Sequence, residues 1–301
     1  MTGVINIDLY KDALKGQRIG LIGLGKMGRG IAVSLIRNRV SLTSFSHKSR
    51  KGIDELIELG GVEVSTPREI AESCSTIILS LPSTKEVDSV CFGSNGLITA
   101  RHDGLFIVDT TTGCPVQTRK FAEKLLRCGI RYVDAPLTRG PKEARRGELN
   151  AILGSPEALV GEACTVLSGF CRWVLHVGET GEGQKVKLLN NALSMGVVAL
   201  SANMIGAAQE LNINPHHLRL LIQRGAVNNE ITQSFFSAIL DEGDDPLKFS
   251  IGDALKDLNY CSDLLSGAEN YKMIRAAREV FLSKAKEGRA EKTLSHLLKE
   301  S

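Results

Sequence analysis

The chain has 301 residues, 24% of them charged, and a formal net charge of +3. That length gives material for a buried core in one large or two moderate domains, while the small positive excess suits anionic small molecules and is too weak to argue for nucleic acid. The seven cysteines are scattered, with no C-x-x-C and no Cys/His spacing suited to zinc, so no metal site is expected and a reducing, cytoplasmic setting is.

Residues 1–15 lack the basic start, apolar run and cleavage site of a signal peptide and read as a polar lead-in or helical extension. Arg18 to Ile22 then predicts a short buried strand, and Gly30 to Ile36 has the apolar spacing of a helix packed on a sheet. Between them lies Gly23-Leu24-Gly25-Lys26-Met27-Gly28, a G-x-G-x-x-G at a strand-to-helix turn. There Gly23 permits the tight turn, Gly25 lets backbone approach a pyrophosphate and Gly28 lets helix and strand pack closely, while the helix N-terminus offers N–H groups to phosphate. Gly20 to Lys26 also fits the opening of a G-x-x-x-x-G-K phosphate loop, but Met27 follows, and its thioether cannot hold Mg²⁺ as a Ser or Thr hydroxyl would.

Ser41 to Phe45 predicts the second strand, at whose end an NAD-preferring site places an Asp or Glu for the ribose hydroxyls. Here that end reads Ser46-His47-Lys48-Ser49-Arg50-Lys51, and no Asp or Glu occurs from Ile19 to Ile53. Hydroxyls and cations would hold a 2′-phosphate that a carboxylate would repel, so Ser46, His47, Lys48 and Arg50 point to NADP(H). The bland alternative is that these cations are the solvated start of the next helix.

Strands alternating with helices continue at Ser75–Leu81, Phe106–Asp109, Tyr132–Asp134, Asn150–Leu153 and Trp173–Leu175, with helical stretches such as Val116 to Cys128 and Pro156 to Ser168. This pattern implies an α/β fold with a doubly wound, mainly parallel sheet. Beyond Gly178 the strand signal ends. The run Gly178-Glu179-Thr180-Gly181-Glu182-Gly183 marks a boundary between domains 1–178 and 179–301, the second helical throughout. Leu188 to Ala208 is apolar for about 20 residues, a length that invites a transmembrane assignment. Asn190, Asn191, Ser194, Ser201 and Asn203 interrupt it, so a central helix buried between domains or subunits is expected instead, with no membrane partner. Asn214-Pro215 opens a further helix, and Asp244-Asp245-Pro246 marks a loop before the last ones.

Lys187 is the leading candidate for chemistry, with Asn191 four residues on and therefore on the same helix face. A lysine in an apolar segment is costly unless paired or used, and burial would lower its pKa toward that of a proton donor to a carbonyl oxygen. The alternative is a lysine snorkelling from a helix end into water. His216 and His217 are adjacent, point about 100° apart on a helix and cannot chelate one metal together. No G-x-S-x-G is present, so a nucleophile elbow is absent.

Gly20-x-x-Gly23-x-Gly25-x-Met27-Gly28-x-x-x-Ala32 resembles the N-terminal signature of the β-hydroxyacid dehydrogenase family, and Asp134-Ala135-Pro136-Leu137-Thr138-Arg139-Gly140 its substrate-binding segment. Gly178-x-x-Gly181-x-Gly183-Gln184-x-x-Lys187-x-x-Asn190-Asn191 resembles its catalytic segment, and Lys256-Asp257-Leu258 a cofactor-contacting motif. The four occur in family order over nearly the whole chain. The resemblance implies a Rossmann domain joined by a long helix to an all-helical domain, with the active site in the cleft between them. It implies Lys187 as general acid or base, Asn191 orienting substrate or lysine, Thr138, Arg139 and Gly140 on the substrate, Lys256 near the nicotinamide, and Leu81, Pro82 and Thr111 lining the cofactor. Relatives are commonly homodimers or homotetramers.

The substrate segment departs from the family's usual Ser-Gly-Gly: Thr138 keeps a hydroxyl, Arg139 replaces a glycine, and Glu143 stands where another glycine is common. A guanidinium suits bidentate capture of an oxyanion, so an anionic substrate of altered size or charge is expected, unless Arg139 points to solvent or braces the cofactor. The implied activity is NADP(H)-dependent interconversion of a small anionic β-hydroxyacid and its semialdehyde, or reduction of a glyoxylate-like 2-oxoacid. The alternatives are an imine reductase on the same scaffold, which commonly lacks this lysine, and a non-catalytic NADP-binding interaction module.

Overall fold

The computed structural model describes residues 3–47, 49–100, 102, 104–243, 245–267 and 270–298. The chain divides into two compact units, Met1–Lys187 and Leu188–Ser301, so the division falls inside the long helix, beyond the glycine-rich run that marks the boundary in the sequence.

The first unit opens with β1 (Gly3–Ile5), α1 (Lys11–Leu14), β2 (Arg18–Ile22), α2 (Lys26–Arg37), β3 (Ser41–Phe45), α3 (Lys51–Glu58), β4 (Val62–Val64) and α4 (Pro67–Ser73). It continues through β5 (Thr76–Leu79), α5 (Thr84–Phe92), β6 (Phe106–Asp109), α6 (Pro115–Arg127), β7 (Arg131–Asp134), β8 (Leu137–Thr138), α7 (Pro141–Arg146), β9 (Leu149–Gly154), α8 (Glu157–Leu167) and β10 (Cys171–Gly178). One sheet runs β1-β10-β9-β7-β6-β5-β2-β3-β4, with β8 attached to β9. The segment β4-β3-β2-β5-β6-β7 is parallel throughout, and chain order reverses between β2 and β5, the switch point at which open α/β sheets bind ligands.

The central strands are apolar on both faces because both are covered. Phe106 and Val108 enter one core cluster with Leu21, Ile31, Leu35 and Phe170, whereas Ile107 enters the other with Ile22, Ile77, Leu79 and Leu125. Alternation along one strand thus feeds two cores, as the period of two requires. Three strands differ from the sequence expectation. Part of the expected polar lead-in is β1, an edge strand antiparallel to β10; β4 has three residues and β8 two. Each is too short to present an alternating pattern, and pairing with a longer strand defines it.

The second unit holds the remainder of α9 (Glu182–Glu210), then α10 (Pro215–Gln223), α11 (Glu230–Leu240), α12 (Ile251–Leu264) and α13 (Lys272–Lys284). Asn214 and Asn229 cap α10 and α11 by accepting from the N–H groups of His216 and Thr232. Leu188, Met195, Phe235, Phe236, Leu258 and Phe281 form its core. The most apolar window of α9 has a mean hydropathy of 1.4, enough by length and composition to cross a membrane, and half of that window is buried within the protein.

Candidate functional site

The loop between β2 and α2 explains its three glycines in three ways. Gly23 has φ +103°, and a Cβ there would lie 2.2 Å from the Ser80 carbonyl oxygen at the end of β5. A Cβ on Gly28 would lie 1.8 Å from the Gly23 oxygen, so only glycine lets α2 start so close to the loop. Gly25, the N-cap of α2, is different: a Cβ there would meet no protein atom within 4 Å. Protein packing does not require that glycine, whereas close approach of a pyrophosphate does, and the first turn of α2 contains no acidic residue to compete for its N–H groups. Leu24 packs against Gly52 of α3, Met27 is half-buried against the core, and Lys26 is exposed. These residues fit a dinucleotide.

At the end of β3, Ser46 is half-buried and His47 and Arg50 are exposed, while Lys48 lies outside the described residues. Arg50 is not a solitary cation. Its guanidinium donates in bidentate fashion to Glu63 at 3.0 Å and also bonds Asp54, which raises its own pKa and holds the Glu63 carboxyl below the usual range. Glu63 arrives on the neighbouring strand β4, so a carboxylate absent from the local sequence stands beside the cation in space.

The ends of β5 and β6 are joined by hydrogen bonds. Leu81 N–H donates to Thr111 Oγ1 at 3.0 Å, Thr111 N–H to Asp109 at 2.9 Å, and the Tyr132 hydroxyl to the other Asp109 oxygen at 2.5 Å. Burial pushes the Asp109 carboxyl up to about 6, and the Tyr132 and Thr111 bonds resist that rise. Pro82 beside them is exposed.

In the substrate-like segment, Thr138 Oγ1 accepts from Asn150 Nδ2 at 3.2 Å across the β8–β9 pairing. Arg139 adopts φ +76°, a left-handed conformation natural to the glycine it replaces. Its guanidinium donates to the Glu148 carbonyl at 3.2 Å and stands 3.9 Å from the Glu148 carboxylate. Glu143 accepts from the Gly140 N–H at 3.0 Å and so closes the first turn of α7 on itself. Helix α7 in turn packs on α2: a Cβ at Gly30 would lie 2.5 Å from the Ala144 Cβ.

The head of α9 is fixed by two residues that sequence reasoning left without a role. Asp134, at the end of β7 and fully buried, accepts from the N–H groups of Gly181 at 2.5 Å and Gln184 at 2.9 Å. Burial drives its carboxyl up to about 7 against the pull of those two bonds. Gly154 and Gly183 make room for it, since a Cβ on either would come within 2.7 Å of a carboxylate oxygen. Gln184 is also fully buried; its Nε2 donates to the Thr111 carbonyl at 2.7 Å and its Oε1 accepts from Gly113 N–H at 2.9 Å. Lys187 follows three residues later and is 9% exposed, so most of its side chain is enclosed.

In the second unit Asn191, also 9% exposed, donates to Asp257 Oδ2 at 2.7 Å, and Lys256 Nζ lies 2.9 Å from Asp257 Oδ1. The structure thus joins Asn191 and Lys256 through Asp257, whose adjacency to Lys256 in the quoted motif was the only sequence signal for it. Among the described residues, no group of three or more His, Cys, Asp or Glu side chains could hold a metal ion, and His216 and His217 are exposed.

Comparison with known proteins agrees with this geometry. The family model for the NAD binding domain of 6-phosphogluconate dehydrogenase matches residues 18–178, and that for the NAD-binding region of NADP-dependent 3-hydroxyisobutyrate dehydrogenase matches residues 181–300. The chain is 30% identical to 2-hydroxy-3-oxopropionate reductase of Escherichia coli over 245 residues, covering 80% of this chain and 82% of that one. The crystal structure of a 3-hydroxyisobutyrate dehydrogenase from Salmonella typhimurium superposes with a TM-score of 0.84 at 21% identity, covering 94% of this chain and 99% of that one. An imine reductase from Myxococcus stipitatus shares the fold less closely, with a TM-score of 0.60 at 17% identity over 94% of this chain and all of that one. Two family models that follow one another along nearly the whole sequence, joined to a full-length likeness in fold, place the chain in the β-hydroxyacid dehydrogenase family of nicotinamide-dependent oxidoreductases.

Proposed function

We propose that the protein is an NADP(H)-preferring enzyme that interconverts a small anionic β-hydroxyacid and its semialdehyde, or reduces a glyoxylate-like 2-oxoacid, with Lys187 as general acid and base. The observation that carries this reading is the burial of Lys187 in the first turns of α9, four residues before a buried Asn191 that Asp257 holds in place. A buried ammonium gives up its proton more readily than one in water, which suits transfer to a carbonyl oxygen.

NADPH, when bound along the β2–α2 loop, supplies the hydride that reaches the carbonyl carbon. Lys187 delivers its proton to the carbonyl oxygen as the C–O double bond opens, and solvent reprotonates the amine; alcohol oxidation runs the same proton transfer backwards. Asn191 orients the carbonyl or the lysine. The Thr138 hydroxyl, whose oxygen accepts from Asn150, donates to the substrate anion, and Arg139 adds a charge that leaves Glu148 for the substrate. The run without carboxylates from Ile19 to Ile53 supports NADP(H) over NAD(H), and Arg50, whose guanidinium bonds Glu63 at 3.0 Å, is a described cation there that would meet a 2′-phosphate. An imine reductase shares the fold but gives no use for Lys187. A non-catalytic module would have no use for the buried pair of Lys187 and Asn191. The cytoplasm, and a homodimer or homotetramer, complete the proposal.

The test is oxidation of NADPH and of NADH against a panel of semialdehydes and 2-oxoacids, headed by 2-hydroxy-3-oxopropionate and repeated with Lys187→Ala. Turnover with NADPH, cut by roughly 10²–10⁴-fold in the variant while NADPH still binds, is expected. Absence of turnover with every carbonyl would overturn the assignment, and equal use of NADH would overturn the cofactor preference.

A further inference from the structure

Gln184 has no assigned role, yet its side chain is committed at both ends. It is fully buried, and both ends of its amide are engaged on the loop after β6: Nε2 on the Thr111 carbonyl at 2.7 Å and Oε1 on the Gly113 N–H at 2.9 Å. A buried carboxamide satisfied at both ends fixes the distance and the rotation of whatever carries it. What carries it is the first turn of α9. Its own N–H is held by Asp134, so the side chain and the backbone of one residue tie that turn to two different strand ends, β6 and β7.

The loop it grips leads onward. Thr111 accepts the Leu81 N–H on its hydroxyl while giving its carbonyl to Gln184, so a continuous hydrogen-bonded path runs from the end of β5 through Thr111 to α9. Gly113 is confined as well: a Cβ there would lie 2.8 Å from Thr84 Oγ1, which also accepts from the Cys114 N–H. A shift of the Leu81–Thr111 wall therefore strains or breaks the bonds that Gln184 makes. Lys187 is three residues, a little less than one turn, further along the same helix.

We propose that Gln184 is a positioning residue: it locks the first turn of α9 to the Thr111–Gly113 loop, so that the wall formed by Leu81 and Thr111 and the amine of Lys187 keep one fixed geometry. This rests on the reading of Lys187 as the general acid. Gln184 does not touch substrate and acts through Lys187. A misplacement of about 1 Å in such a group costs up to ~10²-fold in rate.

The experiment uses the full-length protein with Gln184→Met, which removes both bonds at nearly constant volume, and Gln184→Glu, which keeps the acceptor for Gly113 and loses the donor to Thr111. Amide hydrogen exchange is measured on the protein without cofactor, NADPH affinity by its fluorescence, and kcat and KM with 2-hydroxy-3-oxopropionate or, where the panel shows a faster one, that semialdehyde. In Gln184→Met, exchange at Gly113 and at Lys187 is expected to speed up together. The kcat should fall roughly ten- to a hundredfold with NADPH affinity changed less than about threefold, and Gln184→Glu, whose second carboxylate oxygen would face the Thr111 carbonyl, should fall at least as far. Because the residue acts through the lysine, the double variant with Lys187→Ala should be no slower than Lys187→Ala alone.

Losses that multiply in the double variant would overturn the proposal, as would an unchanged kcat, a fall in kcat matched by lost NADPH binding, or failure of both Gln184 variants to fold. The exchange measurement keeps this apart from the functional reading. If Lys187→Ala retains full turnover, the general-acid assignment fails and the positioning claim with it, even where coupled exchange demonstrates the mechanical tie.

Discussion

Arg139 carries a cost that its neighbours do not. A left-handed backbone at φ +76° is free for glycine, whereas a residue with a Cβ pays roughly 1–2 kcal/mol for it, and the guanidinium recovers part of this on the Glu148 carbonyl. Arg139→Gly should therefore raise stability only slightly, by up to about 0.5 kcal/mol in urea unfolding, after the extra freedom of glycine in the unfolded chain and the lost bond to Glu148 are counted. The same change should raise KM for the anionic substrate at least about tenfold with little change for NADPH, since a bidentate guanidinium–oxyanion contact contributes roughly 1.5–3 kcal/mol. A stabilised variant with unaltered KM would assign Arg139 to Glu148 alone. The sequence exposed the substitution but not its conformation, because left-handed geometry follows from the turn between β8 and α7 and not from the arginine. For Arg50 the local sequence displayed the cation and hid its partner, Glu63, which only strand pairing brings alongside.

Elements with long, regular patterns were legible, and those that exist by pairing were not. β2, β3 and β6 stand where their apolar runs put them, and α2, α6 and α8 follow their periodicity to within a few residues. By contrast β8 is two residues that become a strand by lying against β9, and the start of α9 is set by a carboxylate 47 residues earlier in the chain. That carboxylate makes the junction sensitive to pH. The Asp134 carboxyl is raised from 3.8 to about 7 chiefly by burial, so its protonated form is favoured in the folded protein. Its contribution to stability is complete below the unfolded value and is lost as pH rises through the folded value, and Asp109, raised to about 6, acts in the same direction. Between pH 5 and pH 8 the folding free energy should fall by on the order of 2 kcal/mol through Asp134. Asp134→Asn, followed by urea unfolding across that range, should flatten the slope by that amount. A slope identical to that of the unsubstituted protein would mean that the two N–H bonds keep the carboxylate ionised throughout.

At the scale of the whole molecule, α9 is about 44 Å long and apolar on nearly every side, which is why its sequence alone could not say which face is covered. The structure separates the faces. Leu188, Met195, Val198 and Ile205 enter the core of the second unit, whereas Leu189, Leu193, Leu200 and Met204, spaced by four, seven and four residues along one stripe, remain 49%, 71%, 57% and 44% exposed. With Met273 and Val280 of α13, part of this stripe walls an apolar groove of about 450 Å³. Exposed leucines continuous with such a groove are the kind of surface by which copies of a chain associate, and a stripe along a helix can meet the same stripe of a second copy about a two-fold axis. Light scattering after size exclusion should therefore give a dimer or tetramer at micromolar concentration. Leu193→Asp, which would bury an unpaired carboxylate at the centre of that contact, should lower the mass to that of a smaller species without unfolding the second unit, because Leu193 makes no part of its core. A monomer for the unsubstituted protein would leave the stripe without a homotypic partner, and an unchanged oligomer for Leu193→Asp would place the contact elsewhere.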